Sequence, residues 1–281
     1  MTLKIAVLGP GAMGSAVAKC LHDRGAEVHT LLEGRSDAAR TRARASGMIE
    51  SGPEGIVACD FILSIVPPSE ALGVAERLAL DFGRAPRRIV FVDCNAVSAQ
   101  TARKIGEVVE GAGADYVDAS IIGLPPVPAG VGPAFYVAGP HAQRALALAE
   151  FGLDIRVLSG PVGAASALKM SYAGITKGLA GVASAMILSA VRAGAGEALK
   201  AELDNSQPLL IERFKTSLPQ MYPKAYRWVA EMQEIAEFAG EDPAIRAIYL
   251  GLAQLFEQLA SDYAGSREQA GQIDAFLGSS R

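Results

Sequence analysis

The stretch Leu3-Lys4-Ile5-Ala6-Val7-Leu8-Gly9-Pro10-Gly11-Ala12-Met13-Gly14 runs from an apolar strand-forming segment, through a G-x-G-x-x-G turn, into a helix-forming segment that reaches Arg24. Alone, three such glycines are a weak signal, because any strand-to-helix turn can use glycine for its geometry. Here the context gives each a separate reason. Gly9 permits the tight turn out of the strand. Gly11 lets the main chain come close to a pyrophosphate. Gly14 lets the helix lie against the strand. The helix start adds unpaired N–H groups and the positive end of a dipole. Gly9, Gly11, Ala12, Met13 and Gly14 are the expected cofactor-binding turn.

Outward from this turn the first half of the chain alternates. Strands are expected at Ala26–Leu32, Phe61–Val66, Ile89–Asp93 and Asp115–Ala119, with a short one within Ile49–Val57. Helices are expected at Ser36–Ser46, from an N-cap at Ser69 to about Leu80, and at Ser98–Glu110. Continuous apolar strands separated by helices imply a doubly wound, mostly parallel sheet covered on both faces, the Rossmann class. Gly123–Gly132 holds three prolines and three glycines and reads as a loop. Strands at Ala134–Ala138 and Ile155–Leu158, with a helix from about His141 between them, complete the sheet. After Gly160 the chain turns helical. Gly163–Ala193 reads as one long helix, followed by shorter ones punctuated by Pro208, Pro219, Pro223, Gly240 and Pro243, with a polar tail from Gly265 expected to fray. Two domains follow: 1–160, binding NAD(P), and 161–281, all-helical, for substrate and dimerisation.

The end of the second strand should choose the cofactor. Glu33 stands where an acid holds ribose hydroxyls and favours NAD, while Arg35 and Ser36 can hold a 2′-phosphate and favour NADP. The balance falls slightly to NADP, because a solvent-facing Glu33 is easier to accommodate than an Arg35 with no partner. Solvated loop charges are the plain alternative for both. Two more strand ends point to the same sheet edge, at Val66-Pro67 and Asp93-Cys94-Asn95. Val66, Pro67 and Asn95 join the cofactor set. Asn95 either bonds ribose or nicotinamide or serves the turn ahead of Ser98.

Composition excludes several classes. Of 281 residues, 26 are basic and 30 acidic, without a long run of either sign, so nothing suggests a nucleic-acid or acidic-membrane partner. Cys20, Cys59 and Cys94 are scattered through segments that read as buried, and His22, His29 and His141 form no cluster; neither a disulfide framework nor a metal site is visible. The apolar N-terminus runs into a turn rather than a cleavage site. Gly178–Val191 is shorter than the ~20 residues of a membrane span. The expected location is cytoplasmic.

These elements together resemble the β-hydroxyacid dehydrogenase superfamily, which includes 3-hydroxyisobutyrate and 6-phosphogluconate dehydrogenases and the imine reductases. The glycine turn with Met13, the strand ending in Val66-Pro67, the Asp118-to-Gly123 segment, and Gly160-Pro161-Val162-Gly163 followed by Lys169 occur in the family's order. Ile121-Ile122-Gly123-Leu124-Pro125-Pro126, with Phe135-Tyr136-Val137, is similar to a less characterised branch with its own helical C-terminal domain. The resemblance implies interlocked C-terminal domains in a homodimer and a catalytic lysine at Lys169. It departs at two places. Ile122-Gly123-Leu124 replaces the Ser-Gly-Gly that grips a substrate carboxylate, and Ala173 replaces an asparagine one turn beyond the lysine. A bulkier or less anionic substrate than a simple 3-hydroxy acid is implied.

Hydride transfer between C–OH and C=O also moves one proton, and a desolvated lysine can carry it. The helical neighbours of Lys169 are apolar or neutral, with no acid within a turn. Tyr172 and Ala173 follow on the same face; Tyr172 is a substrate partner, an alternative proton donor, or a core aromatic. Lys177 reads as a packing lysine. Ser120, Ile122 and Gly123 are the expected substrate-pocket residues with Ala173. Three functions stand: an NAD(P)-dependent dehydrogenase or reductase using Lys169, an imine reductase on the same fold, and a non-catalytic nucleotide-binding protein. Lys169 favours the first.

Overall fold

The computed structural model describes residues 2–126, 132–240 and 242–278. They form two compact units, Met1–Lys169 and Met170–Arg281, and the division between these units falls inside the long helix. Residues 127–131 of the expected loop lie outside the described residues.

The first unit is built in the order β1 (Lys4–Leu8), α1 (Ala12–Asp23), β2 (Glu27–Thr30), α2 (Asp37–Ala45), β3 (Ile49–Glu50), α3 (Pro53–Val57), β4 (Phe61–Ser64), α4 (Pro68–Phe82), β5 (Val90–Asp93), α5 (Ala99–Gly111), β6 (Asp115–Ile122), β7 (Ala134–Ala138), a 3₁₀ segment (Ala142–Phe151) and β8 (Asp154–Val157). The sheet order is β3-β2-β1-β4-β5-β6-β7-β8. Every pairing is parallel except β6 with β7, which run antiparallel from Asp118↔Ala138 to Ile122↔Ala134. Strand order reverses between β1 and β4, and a crevice opens there outside the strand ends.

Alternation along each strand divides the core. Ile5 and Val7 join Val17, Leu21, Val117 and Val137 on one face. Ala6 and Leu8 join Ile62, Val74, Leu78, Phe91 and Tyr116 on the other. With both faces buried, the strands are apolar almost throughout, which is why they were visible as continuous runs.

Three local expectations are corrected. Helix α4 starts at Pro68 with Pro67 as its cap, not at Ser69: proline at the first helical position lacks only an N–H that would be unpaired anyway. The segment after His141 is 3₁₀ rather than α-helical. Among the described residues the tail is helical through Leu277. It forms α11 (Glu268–Leu277), whose Ala270, Ile273, Phe276 and Leu277 are buried.

Helix α6 (Ala164–Arg192) leads into the second unit, which continues with α7 (Gly196–Ser206), α8 (Pro208–Met221), α9 (Ala225–Phe238) and α10 (Pro243–Ala264) before α11. By length and mean hydropathy, 1.5 over its most apolar window, α6 passes the test for a membrane-crossing helix. Its glycines have another explanation. A Cβ on Gly174 would come within 2.8 Å of Tyr249 Oη, and one on Gly181 within 2.5 Å of Leu252 Cδ2, so side chains of α10 pack directly onto the glycines of α6. Lys177 on α6 pairs with Glu231 of α9 and lies 5.3 Å from the Trp228 ring centroid, the packing role expected of it.

The start of α6 is held from the sheet. Asp118 of β6 accepts hydrogen bonds from the main-chain N–H of Gly163 (2.8 Å), Ala165 (2.9 Å) and Ser166 (3.3 Å), and from Ser166 Oγ (2.7 Å). A carboxylate satisfying a helix start is favoured by both the unpaired amides and the dipole. Asp118→Ala is expected to remove on the order of 3 kcal/mol or more of stability, because several buried donors lose their acceptor together. Urea denaturation checks this. A variant as stable as the wild type would mean that water replaces the carboxylate without cost.

Candidate dinucleotide site and strand-end network

The glycine turn has the geometry that a pyrophosphate requires. Gly9 has φ +88°, and a Cβ there would stand 2.3 Å from the Ile65 carbonyl oxygen; a Cβ on Gly14 would stand 2.1 Å from Gly9 O. Both positions exclude a side chain. At Gly11 nothing lies within 4 Å of an added Cβ, which leaves open space above the turn at the start of α1. Ala12 and Met13 follow in the first turn of that helix. Arg42 of α2, which the sequence did not single out, donates from Nε to Pro10 O at 3.0 Å and ties the turn to the neighbouring helix.

Beside the turn, at the β1–β4 switch point, is a recess of about 440 Å³ lined by Gly9, Glu33, Gly34, Arg35, Val66 and Arg77 among others. This is where an adenosine half would lie. A second recess, about 460 Å³ on the outer side of α1, contains Lys19 and Arg24 but none of the strand ends, so it does not fit a dinucleotide extending from the turn. Glu33 is exposed at the rim of the first recess. Arg35 is one-third exposed, and its Nη2 lies 3.4 Å from Glu70 of α4. Ser36 has a competing duty: its hydroxyl accepts from Ala39 N–H at 3.4 Å as the N-cap of α2. Val66, two residues beyond the end of β4, lines the recess, and Pro67 follows as the cap of α4.

Asn95 departs from its direct cofactor role. It is 2% exposed. Its Oδ1 accepts from Val66 N–H at 2.7 Å, and its Nδ2 donates to Ser64 Oγ at 2.9 Å and to Asp93 Oδ1 at 2.6 Å. Both amide protons are engaged, so Asn95 clamps the ends of β4 and β5 together and offers no donor to a ligand. Asp93 also accepts from Asn95 N–H (3.1 Å) and from Tyr116 Oη (3.0 Å).

Lys169 is half-buried two turns into α6, and its surroundings are not acid-free. Burial first, then the Asp93 charge, push the Cys94 thiol well above its ordinary range, against the opposing charge of Lys169; Asp118 acts there too. Two strand-borne carboxylates and the lysine thus all act on the buried Cys94 thiol. The helix sequence showed no acid near Lys169 because both acids arrive from the sheet. Of the expected substrate residues, Ser120 is fully buried on β6, its Oγ without a partner among the described residues. Ile122 ends that strand and Gly123 follows with φ +133°. Tyr172, 53% exposed, and the half-buried Ala173 belong to the second unit.

Residues 4–151 match the family described as the NAD binding domain of 6-phosphogluconate dehydrogenase. Residues 190–259 match a domain of unknown function, DUF1932. An uncharacterized 28.5 kDa protein of Methanothermus fervidus is 30% identical over 184 residues, 64% of this chain and 68% of that protein. A conserved protein of unknown function, described as structurally similar to 3-hydroxyacid dehydrogenases, is 29% identical with a TM-score of 0.79, covering 96% of this chain and 99% of that one. A 3-hydroxyisobutyrate dehydrogenase of Mycobacterium tuberculosis, solved with L-serine, shares the fold at 21% identity and a TM-score of 0.66, covering 99% of each chain.

Burial raises the Asp93 pKa to about 6, against hydrogen bonds from Asn95 and Tyr116 that lower it. A carboxyl raised in the folded state binds its proton more tightly there than in the unfolded chain. Stability from this group is therefore present at low pH and lost as pH rises through about 6, on the order of 3 kcal/mol in all. Asp93→Asn is expected to flatten the fall in unfolding free energy between about pH 4 and 6, leaving the same-sign contribution of Asp118, whose carboxyl burial also raises. An unchanged slope in denaturant titrations across that window would contradict the assignment.

Proposed function

This chain belongs to the family of the NAD binding domain of 6-phosphogluconate dehydrogenase, and we propose that it is an NAD(P)-dependent dehydrogenase or reductase acting on a C–OH/C=O group with Lys169 as general acid/base. The observation that carries this reading is the glycine turn, closed to side chains at Gly9 and Gly14 and open at Gly11, beside a recess at the sheet's switch point. A bound nicotinamide would supply or accept the hydride. The chain's own task is to hold the cofactor, orient the substrate and move one proton. Gly11 and the first-turn amides of Ala12 and Met13 take the pyrophosphate. Arg35, with Ser36, biases the choice toward NADP over NAD.

The proton falls to Lys169, with Tyr172 as the alternative donor. Asp118 fixes the start of α6 through Gly163, Ala165 and Ser166, and so sets how far along the helix Lys169 stands. A positioned lysine at the substrate oxygen contributes roughly 10²–10⁴-fold. The substrate side carries Ser120, Ile122, Gly123 and Ala173. Ile122, Leu124 and Ala173 offer no grip for a carboxylate, which supports a bulky or weakly anionic substrate. A panel of alcohols, carbonyls and cyclic imines assayed with both cofactors tests the class. Turnover of imines alone would replace C=O by C=N chemistry, and cofactor binding without turnover would support the nucleotide-binding reading.

Lys169→Met is expected to slow turnover by roughly 10²–10⁴-fold with cofactor affinity nearly unchanged. Lys177→Met, which breaks the pair with Glu231, is expected to cost stability and less than about tenfold in rate. Equal activity in the Lys169 variant and the wild type would transfer the role to Tyr172.

The chain also acts as a homodimer in this reading. Gly174, Gly178 and Gly181 would suit the close approach of a partner helix, but α10 of the same chain occupies that face. Another face remains. Tyr172, Ile175, Val182 and Met186 are exposed, with Leu179 half-buried between them, at the alternating three- and four-residue spacing of a helix seam. Exposed apolar rows of this kind mark association surfaces. Light scattering is expected to give twice the chain mass, and Val182→Lys with Met186→Glu is expected to give folded monomer. A wild-type monomer at micromolar concentration would remove the dimer.

A further inference from the structure

The recess beside the glycine turn holds a second arginine that the sequence pattern did not single out. Arg77 stands on α4 seven residues beyond Glu70, with Val74 between them, so all three share one helical face. Two helical turns separate Arg77 from Glu70, about 10 Å along the axis. Helical side chains lean toward the N-terminus, and Arg77 does so: its Nη1 lies 3.4 Å from where a Cβ on Gly73 would stand. The guanidinium is thereby drawn back toward the end of α4 that adjoins the strand ends.

The other charges of the recess leave this arginine available. Asp81, one turn after Arg77, is bonded to Arg84 at 2.7 Å. No ion pair ties Arg77 to an acid among the described residues. Arg35, which also lines the recess, meets Glu70 of α4 at 3.4 Å, the long end of a hydrogen bond, with both side chains more than one-third exposed. Leu31, Pro53, Val74 and Leu78 supply apolar wall between them. A ribose diol is best met by a carboxylate that accepts from both hydroxyls. A phosphate monoester is best met by two guanidinium forks. The recess is lined by two arginines, Arg35 and Arg77, and by two acids, the exposed Glu33 and Asp81, the latter taken up by Arg84.

We propose that Arg77 and Arg35 form a two-armed clamp for the 2′-phosphate of NADP, with Glu70 holding Arg35 in place until the phosphate displaces it. This rests on the cofactor-binding reading above and assigns the cofactor choice to α4 as much as to the end of β2. No covalent step is involved. Arg77 selects the cofactor by charge and does not touch the reacting atoms.

Calorimetry with NADPH, NADH, 2′,5′-ADP and 5′-AMP on the full chain tests it. The wild type is expected to prefer NADPH over NADH and 2′,5′-ADP over 5′-AMP. Arg77→Ala is expected to weaken NADPH and 2′,5′-ADP by roughly tenfold or more, the scale of one charge-assisted hydrogen bond. NADH and 5′-AMP are expected to stay within about twofold. Arg77→Lys should recover part of the loss, since it keeps the charge without the fork. Glu70→Gln, which releases Arg35, should tighten NADPH and leave NADH alone. Equal weakening of all four ligands by Arg77→Ala would overturn the clamp and make Arg77 a platform for the adenine ring. Unchanged NADPH affinity in a folded Arg77→Ala variant would overturn it outright. A wild type that binds none of the four would instead remove the cofactor reading itself.

Discussion

The close approach of the β1–α1 turn to the end of β4 is the constraint on which the rest of the first unit depends. Gly9 and Gly14 exist in a space where an added carbon would lie 2.3 Å and 2.1 Å from main-chain oxygens. That contact brings the start of α1 over the switch point and leaves Gly11 facing open space. From there a relay of hydrogen bonds runs across the sheet edge. Asn95 joins Val66 of the β4 end to Asp93 of β5, Tyr116 of β6 reaches Asp93, and Asp118 two residues on holds the first turn of α6. Strand ends that would otherwise be separate loops form one rigid edge, the kind of support that places functional groups within narrow limits.

Much of this was legible in the sequence, for identifiable reasons. The strands were visible because both faces of a parallel sheet are buried, so Ile5–Leu8, Phe61–Leu63 and Val90–Val92 are apolar without interruption. The glycine turn was visible because each glycine answers a steric demand. Failures arose where a residue type supports two structures. Ser69 is a good N-cap, but Pro67-Pro68 already fix the backbone one residue earlier. The tail after Gly265 looks polar because Gln269, Gln272 and Asp274 alternate with its apolar residues; Ala270, Ile273, Phe276 and Leu277 recur at helical spacing and are the buried face. Asn95 could serve a ligand or a turn, and only the position of Val66 N–H decides between them.

The candidate site was legible on its helix and not on its sheet. Lys169 drew notice because nothing acidic flanks it along α6. Asp93 and Asp118 lie 76 and 51 residues earlier in the chain, and only strand order brings them to the same edge. Arg77 was passed over for a related reason. Within α4 it is one charge among several on an amphipathic surface, and its meaning depends on facing Arg35 across a recess that two other elements build.

The cost of this edge bears on what it is for. A buried carboxyl raised to about 6 works against folding at neutral pH, and an apolar pair at Asp93 and Tyr116 would pack there without that cost. Burial also raises the Asp118 pKa, against the hydrogen bonds from Ser166, Gly163 and Ala165 that lower it. Ser120 Oγ adds a buried hydroxyl with no partner among the described residues. Asp93, Asp118 and Ser120 lie together toward the ends of β5 and β6, where Lys169 also exerts its charge, while the opposite end of β6 has Asp115 paired with Arg88 and Arg144; other buried hydroxyls without a partner among the described residues, on Ser15 and Thr30, lie elsewhere in the unit. Local rules of stability tend to be broken where function requires it. A structural edge could close its hydrogen bonds as the Asp115 end does. The two raised carboxyls and the unpartnered Ser120 hydroxyl give this end of the sheet a cost that the Asp115 end avoids, and that asymmetry is what the proposed role of Lys169 would account for.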